Sequence, residues 1–170
     1  MNFGGEALMS SQWEVGSGPP IAWNIQEVLI KGGTQTSDPI SLRWKDLLID
    51  EILEIAVTCH KEGWDGYDAA PISSEALSRA CNLIYSAPDS IRPPEAVPSP
   101  DGEIAFEWHI GREKMMTVMP RGEELIYAAI LGPNNVENGR KLLSGGWPSS
   151  IVNILLEYFP NARPTTSSRR

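Results

Sequence analysis

A chain of 170 residues with 41% hydrophobic side chains has enough apolar material for one domain with its own core, so neither a metal nor a disulfide staple is required. The formal charge of −8 and the pI of about 4.8 exclude the basic footprint with which a generic nucleic-acid binder displaces phosphate counterions. They suit a protein partner with a basic surface, with no direct nucleic-acid contact.

The charge is uneven. Residues 1–132 hold 20 acids and nine bases, whereas 133–170 hold two and five, so the body is acidic and the tail mildly basic. No charged leader followed by an apolar stretch opens the chain, and no apolar run nears the roughly 20 residues of a membrane span. The expectation is a cytoplasmic protein without a membrane partner, as monomer or homodimer.

Residues 1–20 carry Gly4, Gly5, Gly16, Gly18 and the Pro19–Pro20 pair, a composition whose backbone entropy opposes regular structure. They read as a flexible arm. Trp13 and Trp23 stand out, because an aromatic in an arm gains most by docking on the domain or a partner. Ala22 to Ile30 reads as a short strand or a helical turn. From Ser41 to Glu62 the residues Trp44, Leu48, Ile52, Ile55 and Cys59 recur at helical intervals, with Ser41 placed to cap the start and Gly63 the end. Asp46, Asp50 and Glu54 line the opposite, solvated face.

The joint Gly63 to Ser73 follows, the most densely specified stretch in the chain. Ser73 then caps a second helix whose stripe is Leu77, Ala80, Cys81 and Ile84. Five prolines between Pro88 and Pro100 forbid a helix there and predict an extended crossover.

In Glu103 to Ile110 the apolar Ile104, Phe106, Trp108 and Ile110 alternate with Glu103, Ala105, Glu107 and His109, the period of a half-buried strand. Lys114 to Met119 reads as a second strand, with Pro120, Arg121 and Gly122 as a three-residue turn. Leu125 to Leu131, apolar on both faces, reads as a third and best-covered strand. A loop from Gly132 through Gly145 and Gly146 leads to a last helix with Pro148 at its first position and Ile151, Ile154, Leu155 and Tyr158 on its apolar face. The fold expected is α+β, with two N-terminal helices, a three-stranded antiparallel meander and a C-terminal helix. A single domain spans 21–160, and 161–170 form a disordered tail.

The catalytic inventory is thin. Cys59 and Cys81 sit on apolar helix faces and read as buried thiols, and Cys59 diverges by about 100° from its neighbour His60, so the two form no dyad. No close His or Cys pair suits zinc, and Asp65 with Asp68 lacks the further ligands of a calcium loop. No metal, cofactor or catalytic residue is assigned. Glycines before the last helix, near Arg140 and Lys141, match no phosphate-binding fingerprint. An acid/base site made by the joint folding over Glu107 and His109 gives the alternative reading, a small hydrolase using Asp65, Asp68, Glu107 and His109. The leading reading is a non-enzymatic protein-binding module. Its candidate contact residues are Trp64, Asp65, Tyr67 and Asp68 at the joint, with Glu103, Glu107 and His109 on the first strand. Met115, Thr117 and Met119, or their neighbours on the second strand, read as an adaptable patch beside them, with core packing as the competing reading for the methionines. Six tryptophans are a surplus that marks a contact site wherever one is not buried.

At the joint and the first strand the chain resembles a recurrent type of uncharacterised small bacterial and phage protein. The likeness is carried by Gly63, Trp64, Asp65, Gly66, Tyr67, Ala70, Pro71, Ile72 and Ser73, and by Pro100, Asp101, Gly102, Glu103, Ile104, Phe106, Glu107 and Trp108. It extends weakly through Tyr127, Ala128 and Gly132. Such proteins look like accessory products of chromosomes, plasmids and phages, which implies an anti-defence setting such as anti-CRISPR, or a toxin–antitoxin setting. No residue's role is carried over from it. In such a setting an acidic body can cover a basic nucleic-acid channel by imitating phosphate charge.

Overall fold

The computed structural model describes residues 39–144 and 146–161. The expected arm, the Ala22–Ile30 element, Trp13, Trp23, Gly145 and the tail beyond Asn161 lie outside the described residues. The order is α1 (Pro39–Thr58), α2 (Ser74–Tyr85), β1 (Glu95–Pro98), β2 (Ile104–Ile110), β3 (Lys114–Arg121), β4 (Glu124–Gly132), β5 (Asn135–Leu142) and α3 (Ser149–Tyr158). The five strands form one antiparallel sheet in sequence order.

The α+β class stands, but the three-stranded sheet does not: two further strands flank the expected meander. β1 lies inside the proline-rich crossover, and Pro98 is tolerated because β1 is an edge with a partner on one side only. β5 occupies what reads as a loop. Pro133 and Asn134, the latter at φ 61°, make a turn of proline-then-left-handed type, and the chain returns along β4. Asn138 and Gly139 look like a turn but lie within β5, where Gly139 sits opposite Tyr127 and leaves room for its ring. The β3–β4 turn is also shorter than expected: Arg121 already pairs with Glu124, leaving Gly122 and Glu123 as the turn.

The helix ends differ as well. α1 starts at Pro39, a residue suited to a first turn, and stops at Thr58, so Ser41 lies within it and Gly63 is not its terminator. Ser73 does cap α2, its Oγ accepting from Ala76 N–H at 3.1 Å. Pro148 holds the N-cap position of α3 rather than the first helical position.

The core lies between one face of the sheet and the helices. Ile104, Phe106 and Trp108 of β2, Met116 and Val118 of β3, and Leu125, Ala129 and Leu131 of β4 meet Ile52 and Ala56 of α1, Ala80 and Ile84 of α2, and Ile151 and Leu155 of α3. This is the inner face. Trp147, ahead of α3, donates its indole N–H to Leu83 O at 2.8 Å and meets Trp108 edge-on at 6.3 Å, while Trp108 donates to Arg92 O at 2.7 Å. All four described tryptophans belong to the core or its margin. The surplus therefore yields no exposed contact site among the described residues. Cys59 and Cys81 are buried, free thiols, and burial pushes Cys81 up to about 11. No described helix is long and apolar enough to cross a membrane.

Candidate functional site

The candidate residues fall into two places. The first is the corner between α1 and α2. Asp65 Oδ1 accepts from the backbone N–H of Tyr67 at 2.9 Å and of Ala69 at 3.4 Å, which bends the chain back on itself. Gly63 N–H bonds to Ala69 O and Gly66 N–H to Gly63 O. Trp64 packs its ring on the core margin and donates its indole N–H to Ala70 O at 2.9 Å. Gly63 has φ 70°, and a Cβ there would lie 3.0 Å from Tyr67 O. Asp68 is exposed, and Tyr67 is 85% exposed at the tip of the bend.

The corner is fastened to the β1–β2 turn. Ala70 N–H donates to Pro100 O at 2.8 Å, and Gly102, at φ 80°, comes so close that a Cβ would lie 2.8 Å from Pro71 O. Glu103 then turns toward the helices instead of lying beside Glu107 as the alternation implies. It is 9% exposed and takes both its bonds from Arg79 Nη2, at 2.9 and 2.8 Å. The two separate sequence motifs, the joint and the strand that begins at Pro100, are thus one structural unit in contact.

The second place is the outer face of the sheet. No described helix packs on it. Glu107 and His109 do lie there together: His109 Nε2 is 3.0 Å from Glu107 Oε2, and Thr117 donates its hydroxyl to Glu107 Oε1 at 3.2 Å. Ladder register sets two rows across this face. Glu95, Glu107, Thr117, Ala128 and Asn138 are successive cross-strand partners, as are His109, Met115, Ile130 and Val136. The second row exposes a run of large apolar side chains, with Ile130 47% and Val136 66% accessible. Beside these rows lies a groove of about 370 Å³, with Val97, Ala105, Met119, Ile126 and Ala128 as apolar lining, Glu107 and Thr117 as its polar part, and Pro98 to Pro100 at one end.

The two places do not merge into one site. Roughly 17 Å of extended strand separates Gly102, at the corner, from Glu107, and Asp65 is committed to its own loop. Cys59 lies in the core and His109 on the outer face, so the sheet stands between thiol and imidazole. Among the described residues no group of three or more His, Cys, Asp or Glu side chains is arranged to hold a metal ion. The sequence pattern leaves either Met115, Thr117 and Met119 or their neighbours on the outer face; the register of β3 on β2 sets the former there, that of β4 on β3 adds Ile126 and Ile130, and that of β5 on β4 adds Val136. No protein-family model, curated protein or solved structure matches this chain.

Proposed function

We propose that this chain is a non-enzymatic protein-binding module whose contact surface is the outer face of its sheet. One observation carries the reading: a half-exposed apolar row, Met115–Ile130–Val136, lies on the sheet face opposite the helices. An accessible apolar run of that kind is a feature of binding surfaces. Acidic net charge supports a basic partner, and the resemblance at the corner and β2 supports a bacterial defence or toxin–antitoxin setting in which this protein acts as an inhibitor. Glu107 and His109 belong to the contact surface in this reading, with Tyr67 and Asp68 at a separate, exposed tip.

The test uses the full chain as bait in a bacterial lysate at low salt. Wild type and Ile130→Val recover the same stoichiometric partner, Ile130→Asp loses it, and capture weakens as salt rises. Recovery of no stoichiometric partner, or equal recovery by Ile130→Asp, overturns the reading.

A further inference from the structure

We infer that the groove on the outer sheet face is a receptor for a single arginine side chain of the partner protein, with Glu107 as the anion that meets the guanidinium. This rests on the protein-binding reading and adds what the partner must present.

The groove supplies the two things such a side chain needs. Its apolar lining, Ala105, Met119, Ile126 and Ala128, takes a methylene stem, and Glu107 supplies a carboxylate within that lining. Thr117 Oγ and His109 Nε2 touch different oxygens of Glu107, which holds the carboxylate in place, and each carboxylate oxygen has more than one lone pair with which to meet a donor. A guanidinium suits this half-buried place better than an ammonium because it is less strongly hydrated and bonds in two parallel contacts.

Charge around the groove favours a cation from outside. Arg121 is engaged by Asp101 at 3.1 Å and Arg140 by Glu124 at 3.6 Å, so these arginines of the outer face are held at other carboxylates. Across the β1–β2 ladder Glu95 stands directly opposite Glu107, a like-charge pair that repels itself and that an incoming cation relieves. Glu51 of α1 titrates above the usual carboxylate range, through burial first and then through the charges of Glu95 and Glu54. His109 is the basic group already touching Glu107, and Lys114, ahead of the His109 row, is turned to the Tyr158 ring at 5.5 Å.

The experiment is a methyl NMR titration of the full chain with Nα-acetyl-arginine amide, with the citrulline and norleucine analogues as neutral controls. Saturable shifts are expected at Ala105, Thr117, Met119 and Ala128, with the neutral analogues at least about tenfold weaker. Glu107→Gln should weaken arginine binding about tenfold while the core methyls of Ile104 and Val118 keep their wild-type positions. Ala128→Leu, which fills the groove without touching Glu107, should block binding as well. Equal binding of the citrulline analogue, shifts clustered away from the groove, or unchanged binding by Glu107→Gln overturns the inference. A partner captured through Ile130 but indifferent to Glu107→Gln overturns this inference alone. Arginine binding with no partner captured removes the protein-binding reading and keeps the groove.

Discussion

In the corner from Gly63 to Ser73 the polar groups turn inward. Asp65 holds two backbone N–H groups of its own loop, the Trp64 indole bonds to Ala70 O, Ala70 N–H reaches Pro100 O, and nearby Glu103 takes both its bonds from Arg79. On the outer face of the sheet the side chains do the reverse. Ile130 and Val136 stand exposed, and Glu107, in the lining of a groove, holds short contacts to Thr117 and His109. The corner is dense in distinctive residues because a tight bend with left-handed glycines accepts few alternatives. The outer face reads as an ordinary alternating strand, and the binding surface proposed for it asks only for accessible area and one or two well-placed polar groups. Density of specification in a sequence therefore marks geometric difficulty, which is a different property from function.

Four measurements test that division, and the size of their expected effect on stability falls in order. Gly102→Ala places a Cβ against Pro71 O in a backbone conformation that L residues rarely adopt, and should cost about 3 kcal/mol in urea unfolding. Partner capture by the fraction that remains folded should be normal. Next is the inner layer at high pH. The folded state holds the Cys81 proton more tightly than the unfolded chain, so this contribution is complete below about pH 9 and is lost as the pH rises toward about 11. The loss should reach roughly 2 to 3 kcal/mol, and Cys81→Ala, unfolded over the same pH series, should lack that component.

Asp65→Asn keeps an acceptor for Tyr67 N–H and loses only its charge, so stability should fall by about 0.5 kcal/mol with binding intact. Loss of binding by a folded Asp65→Asn protein would make the corner a contact site. Smallest in stability is Ile130→Asp, within about 0.5 kcal/mol of wild type, yet it should abolish partner capture. A large loss of stability there would mean that the outer face is covered after all.

Legibility in the sequence follows the same physics. α2 and β2 are readable because each buries one face, so Ser73 with Leu77, Ala80, Cys81 and Ile84, and Ile104 with Phe106 and Trp108, print a period. β5 prints none. Val136, Glu137, Asn138, Arg140 and Lys141 are all exposed, and an edge strand without a buried face has no apolar rhythm to detect. β1 has four residues, too few to show a period, and sits among prolines. Alternation places Glu103 beside Glu107, but alternation counts only within a strand, and this residue precedes Ile104, where the chain is still turning. The exposure of Tyr67 is not legible either, because aromatics usually bury, and only the geometry of the bend carries this ring past the core. The outer-face rows depend on pairing registers, which no single strand contains.

The contact between Ala70 and Pro100 has a consequence for inference between proteins. The Ala70–Pro100 bond and the close approach of Gly102 to Pro71 tie the two motifs together in space, so a second chain bearing both about 30 positions apart is expected to build the corner as a unit. What it inherits is a way of fastening two helices to the first hairpin of a sheet. The far side of that sheet remains open to change, and chains alike through Gly63–Ser73 and Pro100–Trp108 can differ in every residue of the Met115–Ile130–Val136 row. Likeness at the corner speaks for architecture, and the proposed contact surface is to be compared on the strands beyond it.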